Sequence, residues 1–333
     1  MRKNAKIYRK KVIDLKPLKL IPAVKDYIWG GNRLKEEYGV ESSLERQAEA
    51  WVLSCHKDGE SVVSGGRYDG MTLSQVIAEK GKDCLGKNAE RFDYFPILIK
   101  LIDAKDNLSV QVHPDDKYAM KNEGQYGKAE AWYILDCEQG AELIYGLRQS
   151  MTKQELRASI ENGTLLDGLN RVKVKKGDIF LIQAGTVHAI GKGILLAEIQ
   201  QNSNVTYRVY DYGRLQNGKP RELHIDKAID VINLNPVSAG GEPQGEREQL
   251  DGFCKTLLVS CGLFTVNRLE IEERAKLCAD ENSFVSLVAV DGNGVLMKDD
   301  ITMTLYKGES IFVPASFGEF DILGNVTVLE TRV

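Results

Sequence analysis

Alternation of apolar and polar side chains predicts strands through the middle of the chain. In the segment LSVQVH, residues 108–113, side chains alternate with period two, so Gln111 and His113 project from the same face. Pro114 follows at once and suits a strand end, because proline has no N–H to donate to a ladder. The segment AEAWYIL, residues 129–135, has the character of the next strand. Two neighbouring strands would therefore aim their polar side chains at one place.

Three helical patterns interrupt the strands. Residues 71–81 and residues 152–169 each carry a threonine followed three positions later by Gln or Glu, which is the pattern of a capping box. Residues 221–234 place apolar side chains at i, i+3, i+4 and i+7, as expected for an amphipathic helix. The chain is thus predicted to be mainly β with short helical insertions.

A Gly-, Pro- and Glu-rich stretch separates two strand-rich parts of the chain. Residues 236–252 are the predicted linker between residues 17–235, which contain the helical insertion near 152–169, and residues 253–333. A short N-terminal arm, residues 1–16, precedes them. The last part again predicts short strands, with turns at Asp291-Gly292, Lys307-Gly308 and Gly324-Asn325.

Composition and charge narrow the classes of function. The chain has 333 residues, enough for one large domain or two to three ordinary ones, and its 43% hydrophobic and 28% charged residues are typical of a soluble globular protein. A net charge of −4 gives no general attraction for nucleic acid or an anionic membrane. No apolar run is long enough to predict a membrane span, and the basic start lacks the apolar core of a secretory signal. Six scattered cysteines without a CxxC pair favour reduced thiols and a cytoplasmic location.

Four residues make a candidate metal site. Gln111 and His113 share one predicted strand, Glu130 lies in the next, and His188 lies on a short strand after a glycine turn. Such a mixed nitrogen and oxygen set suits a hard or borderline divalent ion, and the imidazoles favour zinc. Each residue could instead be an ordinary satisfied polar group. Only four histidines occur in the chain, however, and two of them fall in this arrangement.

These segments resemble the type I mannose-6-phosphate isomerases in their short bacterial form. The resemblance is carried by LSVQVHPDD, GKAEAWYIL, AGTVHAIG and VTYRVYDYG, and it extends to PAVKDYIWGG and AEAWVLS. It covers most of residues 18–235 and, more weakly, the C-terminal strands. KKGDIFLIQAGTVH is similar to the second motif of cupins, and KGESIFVPAS echoes it with Ser316 and Phe317 where His188 would be expected. The resemblance implies two cupin-like jelly-roll β-barrels, of which the second lacks metal.

The resemblance also implies an activity, which is the interconversion of mannose 6-phosphate and fructose 6-phosphate through an enediol. The implied cofactor is one divalent ion, most readily zinc, which would stabilise the developing oxyanion. The implied partner is a small sugar phosphate, with no nucleic acid and no membrane, and we expect a monomer or a homodimer. The residues that match the family's metal ligands are Gln111, His113, Glu130 and His188.

Further roles follow from the same resemblance. Arg208 matches the arginine assigned as the active residue, and Lys128 is a basic position near the substrate. Glu198 matches a carboxylate close to the metal and is our first choice for the base, because a carboxylate near a metal and apolar strands can be tuned toward a neutral pKa. The resemblance also suggests that Trp29, Glu49 and Arg214 lie near the substrate. Apart from the resemblance, Lys100 interrupts an apolar run and is a candidate phosphate contact, and Ser109 is also expected to contact the substrate.

Two other functions compete with the isomerase at this point. A cupin of this kind could be a non-catalytic sugar-phosphate-binding protein, which would not need both Arg208 and Lys128 facing the ion. It could also be an iron-dependent oxygenase, whose facial site of two histidines and one carboxylate can be formed by His113, Glu130 and His188. A fourth ligand at Gln111 and the basic cluster argue against the oxygenase.

Overall fold

Strands dominate the computed structural model, which describes residues 15–238 and 240–333. Most of the predicted N-terminal arm, up to residue 14, lies outside the described residues. In the first part of the chain the strands are β1 Leu18–Ile21, β2 Ala23–Lys25, β3 Glu49–Leu53, β4 Cys55–His56, β5 Gly59–Glu60, β6 Val62–Ser64, β7 Ile97–Ala104, β8 Val110–Val112, β9 Glu130–Cys137, β10 Glu142–Leu147, β11 Leu169–Lys173, β12 Ile179–Ile182, β13 His188–Ala189, β14 Ile194–Gln201, β15 Tyr207–Tyr210, β16 Leu215–Gln216 and β17 Lys219–Pro220.

The second part of the chain adds eight strands within the described residues. They are β18 Arg247–Leu250, β19 Phe253–Ser260, β20 Thr265–Ile271, β21 Arg274–Ala279, β22 Val285–Lys298, β23 Ile301–Tyr306, β24 Ser310–Val313 and β25 Gly318–Arg332. The α-helices of the described residues are short and lie in the first part, at α1 Arg33–Tyr38, α2 Leu73–Lys80, α3 Asp116–Asn122, α4 Lys153–Glu161 and α5 Ile225–Val231. This mainly β content agrees with the sequence pattern.

Two facing antiparallel sheets form the first part of the fold. One has the strand order β12-β9-β14-β7-β3-β2, and the other has the order β11-β10-β13-β8-β15. Two contacts join the sheets. The Tyr145 hydroxyl of β10 donates to the Leu181 carbonyl of β12 at 2.7 Å. The ring of Trp132 in β9 packs edge-to-face against that of His188 in β13, with the ring centroids 5.2 Å apart. Polar side chains that point between these sheets are therefore brought together from distant parts of the sequence.

The C-terminal strands form a second sheet system that also takes in β1 and β6 from the start of the chain. Its two longest strands, β22 and β25, pair along most of their length, with a register shift between Ala289 and Asp291. The predicted turns at Asp291-Gly292 and Gly324-Asn325 are therefore wrong, since both glycines lie inside continuous strands. They have φ of 65° and 119°, a conformation that glycine adopts readily and that lets a strand bend. The predicted turn at Lys307-Gly308 is confirmed between β23 and β24.

Capping boxes fix the starts of two helices as the sequence predicts. The Thr72 hydroxyl accepts from the Gln75 N–H at the start of α2 while the Gln75 side chain accepts from the Thr72 N–H, and Thr152 and Glu155 do the same at the start of α4. The predicted third helix is α5, whose apolar face packs on the outer side of the five-stranded sheet. Among the described helices, none is both long and apolar enough to cross a membrane.

An apolar interface joins the outer face of the six-stranded sheet to the C-terminal strands. At its centre Phe284 is fully buried, with its ring centroid 5.3 Å from that of Phe95 on one side and 5.3 Å from that of Phe312 on the other. The predicted linker, residues 236–252, contains strand β18, which pairs with β19. The domain boundaries taken from the sequence stay a prediction.

Truncation of Phe284 tests how far stability depends on this interface. We expect Phe284→Ala to lower the free energy of unfolding by about 3–5 kcal/mol, because it removes a fully buried ring and leaves a cavity. The measurement is urea unfolding followed by circular dichroism. Leu215→Ala is the control, since this large apolar side chain is 58% exposed and should change stability by less than about 0.5 kcal/mol. Equal effects of the two substitutions would contradict the packing described here.

Candidate active site

Three neighbouring strands of the five-stranded sheet present the predicted polar residues in register. Gln111 of β8 lies opposite His188 of β13 on one side and opposite Arg208 of β15 on the other. His113 follows directly after β8. Glu130 begins β9 in the facing sheet, where its neighbours are Ile182 and Gln200. The alternation read from the sequence therefore does bring these side chains to one place between the two sheets.

Backbone carbonyls fix the tautomers of the two buried histidines. Nδ1 of His113 lies 2.8 Å from the Val205 carbonyl oxygen, and Nδ1 of His188 lies 2.8 Å from that of Thr186. Because a carbonyl can only accept, each Nδ1 carries the hydrogen and each Nε2 presents a lone pair. Burial lowers the pKa of both imidazoles, that of His188 to about 4, so both rings are neutral at pH 7.

These lone pairs converge on a buried carboxylate. The Nε2 atoms of His113 and His188 are only 3.2 Å apart, and Oε1 and Oε2 of Glu130 lie 3.3 Å and 3.7 Å from the Nε2 of His188 and of His113 respectively. Lys128 lies at the edge of this group, with Nζ 2.6 Å from Glu130 Oε2 and 3.2 Å from His113 Nε2, whereas Glu130 Oε1 has no hydrogen-bond partner among the described residues. Acceptors that face one another in a buried place repel unless a cation lies among them.

The donor set therefore fits a divalent metal ion. The ligand atoms of His113, Glu130 and His188 all lie within 4.8 Å of one another. The side-chain amide of Gln111 lies 3.4 Å from His188 Nε2, and rotation of this amide presents its oxygen as a fourth ligand. Two imidazoles, a carboxylate and an amide oxygen, with no cysteine, make a mixed set that keeps room for a substrate atom.

A chain of alternating charges continues from the metal ligands into the protein. Nζ of Lys128 lies 2.6 Å from Glu130 Oε2 and 3.6 Å from Glu198 Oε1. Nζ of Lys100 lies 3.0 Å from Glu198 and 3.6 Å from Glu49. All five side chains are buried, so each charge depends on its neighbours for stability. Two lysines balance two of the three carboxylates.

The pKa of Glu198 is shifted in the direction opposite to the one predicted. Burial alone would raise it, but the ammonium groups of Lys100 and Lys128 outweigh burial and lower the pKa to about 2. The expectation of a carboxylate tuned toward neutrality is therefore wrong for Glu198, which is ionised at all ordinary pH values. Burial together with the Glu198 charge instead raises the pKa of Glu130 to about 7.

A cavity of about 290 Å³ opens beside the metal ligands. Its volume is close to the lower limit of small-molecule sites, roughly 300–1,000 Å³. The candidate metal-ligating groups of Glu130 and His188 are next to lining residues of this cavity, Glu130 beside Lys128 and His188 beside Gln111. Among the lining residues are those predicted from the sequence, namely Trp29, Glu49, Lys100, Ser109, Gln111, Lys128, Glu198 and Arg208.

One predicted substrate contact is not in this cavity. Arg214 does not line it: Nη2 lies 2.5 Å from Asp211 Oδ1, and Nη1 donates to the Asn107 carbonyl. Arg221 lines the cavity in its place. Arg221 was not predicted from the sequence, because it lies between an exposed hairpin and a helix and no motif marks it. The Asn217-Gly218 pair between two short segments was the one available sign of that hairpin.

Known proteins resemble this chain along most of its length. A model of the catalytic domain of type I phosphomannose isomerase matches residues 17–151, and a model of the cupin domain of mannose-6-phosphate isomerase matches residues 254–333. The mannose-6-phosphate isomerase ManA of Bacillus subtilis is 41% identical over 310 residues, which are 92% of this chain and 96% of that protein. A mannose-6-phosphate isomerase of Streptococcus mutans is 37% identical over 95% of this chain and 98% of its own length.

A solved structure agrees at the level of the whole chain. The crystal structure of the mannose 6-phosphate isomerase from Bacillus subtilis superposes with a TM-score of 0.89 at 38% identity, and the match covers 96% of this chain and 100% of that one. The predicted cupin-type, mainly β fold is thereby confirmed. On these grounds the chain is a member of the type I mannose-6-phosphate isomerase family.

Proposed function

We propose that this chain interconverts mannose 6-phosphate and fructose 6-phosphate with the help of one bound zinc ion. One observation carries the proposal. Two neutral imidazoles and a buried carboxylate converge beside a cavity that four basic side chains line. Family membership supports the reaction, and the donor set supports the ion. The proposed ligands are His113, Glu130, His188 and Gln111.

The two sugars differ by one proton moved between carbon 2 and carbon 1, so the site must meet three needs. A base takes the carbon-bound proton, positive charge stabilises the oxyanion of the enediol, and the phosphate is held. When bound, the metal supplies Lewis-acid stabilisation of that oxyanion. Arg208 and Lys128 line the cavity beside Gln111 and add positive charge to the same end.

Glu198 is the proposed base. It lines the cavity, it is ionised, and the indole N–H of Trp132 donates to its Oε2 at 3.0 Å and holds it in place. The two lysines that lower its pKa also make it a weak base until the substrate enters. We propose that entry of the anionic substrate weakens this effect, since Lys128 then shares its charge with a second anion.

Other properties follow as proposals from the same features. Six cysteines without a disulfide in the described part of the chain support a reducing, cytoplasmic location. The fit of the cavity to a small anion supports a sugar phosphate, rather than nucleic acid, as the partner. The choice between a monomer and a homodimer stays a prediction.

The direct test is formation of fructose 6-phosphate from mannose 6-phosphate. We expect turnover that is lost on chelation and restored by zinc, because the three buried acceptors need a cation. Arg208→Ala should lower kcat/KM by roughly 100-fold, the effect of losing a charged hydrogen bond to an anion. Metal-bound protein without turnover would favour a sugar-phosphate-binding protein, and oxygen uptake with added iron would favour the oxygenase.

A second test concerns the base. Glu198→Gln keeps the size of the side chain and the Trp132 hydrogen bond but removes the negative charge. We expect kcat to fall by roughly 10²- to 10⁴-fold, and exchange of the carbon-2 proton of mannose 6-phosphate with deuterated solvent to stop. The exchange is followed by proton NMR, with zinc content measured to show that the metal is retained. Unchanged exchange in a zinc-loaded variant would rule out Glu198.

A further inference from the structure

Three parts of the chain that carry site residues meet at residues 127–129, just before β9. Lys128 lies within this segment, and Glu130 begins β9 directly after it. The turn after β8 follows the candidate metal ligand His113, and the end of β14 follows Glu198. Because the Lys128 side chain reaches the cavity from this segment, the place of its ammonium depends on how the segment is held.

Each backbone N–H of residues 127–129 donates to an acceptor outside the segment. The acceptors are, in chain order, Asp116 Oδ1 at 2.8 Å, the Pro114 carbonyl oxygen at 3.0 Å and Gln201 Oε1 at 2.9 Å. Two of these acceptors are side-chain atoms. The position of the segment therefore depends on the identity of two residues, Asp116 and Gln201, as well as on the path of the backbone.

The two side chains also bind each other. Gln201 Nε2 donates to Asp116 Oδ1 at 2.9 Å, the same oxygen that accepts from the Gly127 N–H. Gln201 is buried, and its amide fits in one orientation, because its oxygen faces an N–H and its nitrogen faces a carboxylate. The backbone N–H of Gln201 donates as well, to the Ala129 carbonyl at 3.1 Å. This pair, the Asp116–Gln201 bridge, ties the turn after β8 and the end of β14 to the segment between them.

The turn after β8 and the segment before β9 touch so closely that residue 127 has no room for a side chain. A Cβ at Gly127 would lie 2.4 Å from the Asp115 carbonyl carbon and 2.5 Å from the Asp116 nitrogen. Both are backbone atoms, so they could not move aside without moving the turn. The HPDD motif at residues 113–116 thus has a use beyond its histidine, since Pro114 and Asp116 hold the segment that carries Lys128.

From these contacts we infer that Asp116 and Gln201 are positioning residues, which hold the ammonium of Lys128 in place for the isomerase reaction. Neither is among the residues that line the cavity in the described part of the chain, so both act through Lys128. Its Nζ lies 2.6 Å from Glu130 and 3.6 Å from Glu198, and a misplacement of about 1 Å can cost a reaction roughly 100-fold. The inference rests on the proposed function, in which Lys128 adds positive charge for the enediol oxyanion.

The test compares variants of the zinc-loaded protein by their kinetics with mannose 6-phosphate. Asp116→Ala removes both hydrogen bonds of an exposed side chain. We expect kcat to fall by roughly 10- to 100-fold, the effect of losing an outer partner of a site residue, with KM within about threefold, because Lys128 acts on the enediol. Asp116→Asn keeps an oxygen for both donors and should stay within about threefold of wild type in kcat. Gln201→Met, which removes the other half of the bridge, should resemble Asp116→Ala.

Asp115→Ala is the matched control for structure alone. Asp115 is the neighbouring aspartate of the same motif, and its carboxylate accepts from the Tyr118 N–H at 2.8 Å and caps α3. Loss of this cap should weaken the helix, yet kcat should stay within about twofold, because the bridge is intact. Equal losses of kcat in Asp115→Ala and Asp116→Ala would contradict the inference, and so would equal losses in Asp116→Asn and Asp116→Ala.

A second readout does not depend on turnover. In crystals of zinc-loaded Asp116→Ala, the Lys128 ammonium should leave the position that it has in crystals of the zinc-loaded wild type, whereas Asp115→Ala should leave it there. An unmoved ammonium, or a wild-type kcat, in Asp116→Ala would overturn the inference. A wild-type chain without any turnover would instead overturn the proposed function, and the position of the ammonium in the crystals would still decide whether the bridge holds Lys128.

Discussion

The site depends on one electrostatic constraint, which is the burial of three acceptors that face one another. His113 and His188 are locked by backbone carbonyls into tautomers that point their Nε2 lone pairs at each other, and Glu130 adds a carboxylate from the opposite sheet. The ammonium of Lys128 neutralises part of the Glu130 charge from one side. A divalent ion among the three ligand groups would neutralise the rest, and two imidazoles with a carboxylate fit such an ion without cysteine.

Charges of both signs line the cavity beside the candidate metal ligands. At the inner end, buried carboxylates and lysines alternate and hold one another in place, so their positions are rigid and their charges nearly cancel. Arg208 and Arg221 also line the cavity, and each guanidinium donates hydrogen bonds to neighbouring protein groups.

Local sequence patterns predicted the parts of the site that depend on local structure. Period-two alternation placed Gln111 and His113 on one face because strand geometry alone decides it, and the capping boxes at Thr72 and Thr152 are equally local. The low pKa of Glu198 was beyond such reasoning, since it arises from lysines on two other strands. Arg221 was missed for a related reason, because only its pairing with Asp211 across the hairpin brings it to the cavity. The turns predicted within β22 and β25 were wrong because each glycine lies inside a long paired strand, where it forms a bend and does not end the strand.

The central claim is that His113, Glu130 and His188 together bind one metal ion through the two Nε2 atoms. Crystals of the zinc-loaded protein, measured on both sides of the zinc absorption edge, test it most directly. The account predicts a single anomalous peak per chain within coordination distance of both Nε2 atoms and the Glu130 carboxylate. A peak bound through Nδ1, a peak elsewhere in the chain, or zinc-loaded crystals with no peak among these residues would contradict it.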